Sequence, residues 1–177
     1  NKLHVLVRVQ APDLPKSKIN QRQPYGVGFV IDRSGSMDGK PLFEAVKCVK
    51  FMADKLNDTD FASLVTFDNR IELEFPLSKM SERSKLIEAL KGVMSGGNTD
   101  LHGGWREGAD EFVRKEPQTA LKRVVLLSDG CTNTGLVNTD EITAQVAEFA
   151  SKGITTSTYG LGGHFNEELM MNIAKAG

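Results

Sequence analysis

Cysteine is scarce in this chain. Its 177 residues include two, Cys48 and Cys131. Two cannot build a disulfide framework, and these are not at metal-ligand spacing. Cys48 reads as a buried thiol and Cys131 as a loop thiol, which leans towards a reducing, cytoplasmic setting. Charge of one sign is also lacking, with a formal net charge of −1. With no basic stripe and no Lys/Arg run, a nucleic-acid partner is not indicated. No apolar run reaches the length that spans a bilayer. The first residues, NKLHVLVRVQ, do not follow the charged, apolar, then small-residue order of a secretory leader. Internal repeats and low-complexity tracts are absent. What is present is an ordinary globular balance, 40% hydrophobic and 25% charged, on a length that suits one domain with a sizeable core.

The sharpest break in composition is APDLPKSKINQRQPY, residues 11–25, with three prolines. It reads as an extended connector. LHVLVRV (3–9) before it alternates like a half-exposed strand. Residues 1–25 are therefore set apart from 26–177. GVGFVI (26–31) and RVVLLS (123–128) are short, near-continuous apolar runs, the signature of strands buried on both faces. FASLVTF (61–67) and IELEF (71–75) read as a hairpin turning at Asp68-Asn69. ITTSTYGL (154–161) is a further strand. Helices are expected over 41–56, with Leu42, Ala45, Val46, Val49, Met52, Ala53 and Leu56 on one stripe. Others are expected over 81–93 with a Ser81 cap, over 101–115 despite Gly103 and Gly104, over 139–152 with a Thr139 cap, and from 165 to 176. Strands alternating with helices imply a Rossmann-like, doubly wound three-layer α/β/α sandwich, mostly parallel with one antiparallel edge strand. Such a sheet binds ligands outside the carboxyl ends of its strands, where the strand order reverses.

The polar residues fall at that place. Asp32 directly follows the first buried strand and Asp129 the second. Asp32 opens D-R-S-G-S-M (32–37), where Gly35 allows a tight turn between the hydroxyls of Ser34 and Ser36. A third hydroxyl, Thr99, lies in the Gly-rich loop SGGNTDLHGG (95–104). Two carboxylates and three neutral hydroxyls suit a hard divalent cation, Mg²⁺ first, with Mn²⁺ or Ca²⁺ as alternatives. They do not suit zinc, which would call for Cys or His. If the hydroxyls ligate and the acids stand partly behind water, the ion keeps positive character and open positions. A carboxylate from another molecule could then replace a water. No base or nucleophile is evident beside the cluster.

These motifs, D-R-S-G-S-M at 32–37, N-T-D at 98–100 and L-L-S-D-G at 126–130, resemble the metal-ion-dependent adhesion site of von Willebrand factor type A domains. The resemblance covers about residues 26–177, and is nearest to bacterial-type members with a G-N-T loop and an S-T-Y-G-L-G strand end. It implies ligation by Ser34, Ser36 and Thr99, with Asp32 and Asp129 as direct or water-mediated partners. It also implies a non-enzymatic module that captures an Asp or Glu of a protein ligand. The chain ends at Gly177, where the family usually continues with another strand and a closing helix, so it reads as an excised or short member. Two other functions share the fold: a subunit of an ATPase-driven chelatase or remodelling assembly, and a metal-dependent hydrolase.

Other features invite competing readings. Gly160-x-Gly162-Gly163 lacks the third glycine of a dinucleotide fingerprint, since Phe165 stands there. There is no phosphate loop, and Ser34 occupies the place where an aspartyl phosphatase would carry a second acid. Asp38, Asp68 and Asp100 read as loop acids, with Asp100 notable for adjoining Thr99. His102 and Trp105 read as surface and packing residues, or else as the rim of the binding face. Met170 and Met171 read as helix core.

Overall fold

The computed structural model describes residues 22–163 and 165–177. The expected strand at 3–9, and the connector up to residue 21, lie outside the described residues. Five strands form one sheet in the order β3-β2-β1-β4-β5. They are β1 (Tyr25–Asp32), β2 (Phe61–Phe67), β3 (Ile71–Lys79), β4 (Leu121–Ser128) and β5 (Ile154–Gly160). The helices are α1 (Lys40–Ala53), α2 (Arg83–Lys91), α3 (Leu101–Lys115), α4 (Thr139–Ser151) and α5 (Glu167–Ala176). β1 pairs in parallel with β2 on one side and β4 on the other, and β4 pairs in parallel with β5. β3 runs antiparallel to β2 at the edge.

The apolar runs explain this order. Along β1, Phe29 and Ile31 face one core layer and Val30 the other. Along β4, Val125 and Leu127 face the first layer, and Val124 and Leu126 the second. Strands with both faces apolar are stable only in the interior of a sheet covered on both sides. α1 and α2 close one side with Leu42, Ala45, Val49, Leu86 and Leu90. α3, α4 and α5 close the other with Trp105, Phe112, Val146, Phe149 and Ile173. The three-layer α/β/α sandwich is therefore as expected. No helix among the described residues is long and apolar enough to cross a membrane.

Several local expectations need correction. β3 continues to Lys79 through Pro76, which an edge strand tolerates because one row of its backbone groups lies outside the ladder with β2. The buried Glu111 carboxylate on α3 supports this stretch by accepting from Leu77 N at 2.6 Å. Ser81 does not cap α2; a 3₁₀ turn over Met80–Glu82 leads into the helix instead. α4 is capped by Asn138, whose side chain accepts from Glu141 N, and Thr139 is the first helical residue. Met170 is core, but Met171 is exposed. Gly104 does not weaken α3 for nothing: a Cβ there would lie 2.3 Å from the Phe67 ring, so the glycine lets the helix sit directly on the sheet. The last connector residues are pinned from below. Arg22 makes two bonds to the buried Asp60 carboxylate (2.7 and 2.5 Å), which also accepts from Tyr25 N and Asn57 N.

Candidate functional site

Because α1 carries the chain from β1 to β2 and α3 carries it back past β1 to β4, the strand order reverses between β1 and β4. Asp32 ends β1 and Asp129 follows β4, so both carboxylates come to the crevice at the carboxyl end of the sheet. The loop after α2 brings Thr99 to the same end. It is stitched to the first loop by Gly35 N→Gly97 O (3.1 Å) and Gly96 N→Arg33 O (2.8 Å). Gly97 sits at φ 73°, and a Cβ there would come 2.2 Å from Asn69 Oδ1, so this crossing admits only glycine. Gly35, by contrast, is not in the left-handed region; it lies in a 3₁₀ turn (Gly35–Met37) whose Met37 is buried in the core. Gly35 thus makes the tight turn expected of it, and the left-handed position at this crossing is Gly97.

Asp32 is 0% exposed, Ser34 1%, Thr99 2% and Asp129 7%. Ser36 is exposed, and its hydroxyl lies 3.2 Å from that of Ser34. Asp32 Oδ1 accepts from Ser34 N at 2.8 Å, and Oδ2 accepts from the Ser128 hydroxyl at 2.6 Å. Asp129 Oδ1 accepts from Cys131 N at 3.0 Å. Burial raises the Asp32 pKa above the ordinary carboxylate value and the Asp129 charge adds to this, while the bonds from Ser128 and Ser34 pull it back. Among the described residues neither acid has an ion-pair partner. Arg33, although adjacent, turns away to Asp68 (3.3 Å) and Glu72 (2.7 Å) on the hairpin.

Two buried acids without a counter-charge are costly unless a cation joins them. No three His, Cys, Asp or Glu side chains among the described residues are grouped to hold a metal. A cation at this crevice would therefore draw on hydroxyls as well as carboxylates. The donors present fit a hard divalent ion: carboxylate oxygens on Asp32 and Asp129, and hydroxyls on Ser34, Ser36 and Thr99.

The neighbouring candidates are otherwise engaged. Asp100 caps α3 by accepting from Gly103 N (2.9 Å), and Asp38 accepts from the Ser95 hydroxyl (2.5 Å). Trp105 is buried, donates to Thr156 Oγ1 (3.0 Å) and packs edge-on against Phe149, so it does not line the rim. His102 lies 3.0 Å from Gln145 of α4. Two residues the motif reading passed over hold the site together, Ser128 and Asn133. The latter accepts from Thr99 N at 2.9 Å. Their signal was a hydroxyl one residue before Asp129 and an amide four residues after it.

The von Willebrand factor type A domain model matches residues 27–177. The chain belongs to the von Willebrand factor type A (vWA) domain family. This vWA domain is 26% identical over 155 residues to the uncharacterized Synechocystis protein sll0103, covering 88% of this chain and 36% of that protein. It spans only 26% of the Escherichia coli protein YfbK and 16% of a Dictyostelium discoideum vWA-containing protein. Among solved structures, a von Willebrand factor type A protein from Catenulispora acidiphila superposes with a TM-score of 0.73. Identity is 22%, over 87% of this chain and 37% of that one. The mussel byssus proximal thread matrix protein 1, with a zinc-occupied MIDAS motif, superposes at 0.70, also with 22% identity, over 86% and 41%. These likenesses show that the vWA domain has the family's fold.

Proposed function

We propose that this vWA domain is a metal-dependent protein-binding module. A divalent cation, Mg²⁺ foremost, is held by Ser34, Ser36 and Thr99, with Asp32 and Asp129 bound directly or through water. An Asp or Glu side chain of a partner protein completes the coordination. The observation that carries this reading is the pair of buried acids, Asp32 and Asp129, set beside buried hydroxyls with no ion-pair partner among the described residues. The zinc-occupied MIDAS motif of the mussel protein supports a divalent ion in this domain. It also makes ion preference something to measure, because the oxygen donors here favour harder ions. Binding is favoured over catalysis because the hydroxyls of Ser34 and Ser36 face each other. Among the described residues no imidazole or amine is paired with either, as an activated nucleophile requires.

Calorimetric titration with Mg²⁺, Mn²⁺ and Zn²⁺ tests the metal. Wild-type protein is expected to bind one ion and Asp32→Ala to lose it; wild-type protein that binds none refutes the reading. Water-proton relaxation of the Mn²⁺-loaded domain tests the open position. A Glu-containing peptide should lower the relaxivity by displacing a bound water, and the same peptide with Gln should not.

A further inference from the structure

The segment that follows β4 does more than carry Asp129. Ser128 is fully buried, and its hydroxyl works in both directions. It donates to Asp32 Oδ2 at 2.6 Å and accepts from Gly130 N at 2.8 Å. With Ser34 N on Oδ1, each oxygen of the Asp32 carboxylate is held by its own donor. Rotation of that carboxylate would break both bonds at once.

Asn133 does the equivalent for Thr99. Its Oδ1 accepts from Thr99 N at 2.9 Å, and its own N donates to Thr99 O at 3.1 Å. Both backbone polar groups of Thr99 are thus held by one residue 34 positions away. Thr134 N and the Thr132 hydroxyl, each at 3.2 Å, add to the same carbonyl. None of these bonds uses the Thr99 hydroxyl. The backbone does the holding, and the side chain is left out of it.

We infer that Ser128 and Asn133 are positioning residues of the metal site, each acting on a different donor. This rests on the metal-binding reading above. Ser128 fixes the direction in which Asp32 presents its carboxylate. Asn133 fixes the depth at which the Gly97-Asn98-Thr99 loop presents its hydroxyl. Because the two residues sit on one short segment, Ser128–Thr134, that segment sets the register of the other two loops. Partners of this kind, one bond behind the ligands, contribute about 10- to 100-fold to metal affinity.

The experiment is Mn²⁺ titration of the whole chain, wild type and variants, paired with metal-free thermal unfolding. Ser128→Ala and Asn133→Ala are each expected to weaken Mn²⁺ binding by about 10- to 100-fold. Ser128→Thr keeps the hydroxyl and is expected to bind within about threefold of wild type. Thr99→Ala supplies the decisive background. If Asn133 acts by placing the Thr99 hydroxyl, Asn133→Ala adds no further loss in Thr99→Ala protein, whereas Ser128→Ala still does. This holds even if Asn133→Ala also lowers the metal-free unfolding temperature. Wild-type binding with both alanine variants within twofold of it overturns the inference, as does an Asn133→Ala loss that persists undiminished without the Thr99 hydroxyl. Wild-type protein that binds no divalent ion refutes the metal reading itself and is seen before any variant is made.

Discussion

Replacing Asp32 by Asn separates the burden of the buried acids from their use. The amide is isosteric: its oxygen can take the Ser34 N–H, and its nitrogen can donate to the Ser128 oxygen in a bond of reversed direction. What disappears is the charge. In the metal-free wild type, burial and Asp129 keep the Asp32 carboxyl protonated to higher pH than in the unfolded chain. A folded state that holds the extra proton loses stability as pH rises through that window. Asn cannot ionise, so the metal-free variant should show a flatter pH profile, and at pH 7 or above should match or exceed wild type. With metal the order reverses. An ion present at 100 times its dissociation constant stabilises the wild type by about 2.7 kcal/mol. For a chain of this length that raises the unfolding temperature by about 5–10 °C. Asp32→Asn should gain little from the same addition. Thermal unfolding of both proteins, with chelator and with excess Mg²⁺, reads all four states. A variant that gains as many degrees from Mg²⁺ as the wild type refutes the argument that Asp32 serves the ion.

Three further perturbations bear on the scaffold. Gly104→Ala places a methyl group within 2.3 Å of the Phe67 ring and should cost about 1–3 kcal/mol in urea denaturation. Arg22→Ala removes the charged partner of the buried Asp60 and should cost about 1.5–3 kcal/mol at pH 7. Although burial opposes ionisation, the bonds from Arg22, Tyr25 N and Asn57 N hold the Asp60 pKa below its ordinary value. The stability it gives is therefore present above the unfolded carboxylate pKa and lost as pH falls through the lower folded one, so the gap between Arg22→Ala and wild type should narrow in acid. Ser63→Ala deletes a buried hydroxyl with no partner among the described residues and should be neutral or stabilise by up to about 1 kcal/mol in the same assay.

The architecture was legible because burial on both faces leaves a plain mark: GVGFVI and RVVLLS read as interior strands, whereas the strand order β3-β2-β1-β4-β5 came only from the structure. Asp32 and Asp129 were legible for the same reason, since each is the first polar residue beyond such a strand. Helix ends were less so. Thr139 and Asn138 are both good caps, and only the extended backbone at Asn138 (φ −73°, ψ 115°) decides between them. Gly35 and Gly97 look alike in sequence, yet only the second takes positive φ, because that is where two loops cross. Ser128 was hidden for a different reason. At the end of a strand a serine reads as an ordinary surface residue. It becomes a partner of Asp32, 96 positions earlier, only when β4 lies beside β1.

The same burial pattern fixes the side from which a ligand can approach. Asp32, Ser34 and Thr99 are enclosed, whereas Gly35, Ser36, Gly97, Asn98 and Cys131 are exposed around them. A cation taken up there would be held by Asp32, Ser34, Ser36, Thr99 and Asp129, and a partner would reach it from the exposed Ser36 side. A cation with protein oxygens all round would serve structure; one with a single open face serves recognition. The rim on that face is small: two glycines, a serine, an asparagine and a cysteine. Small side chains there would leave room for a carboxylate to reach down to the ion. On that reading, the charge of the ion would fix where the partner's carboxylate docks, and specificity would come from whatever the partner touches beyond the rim.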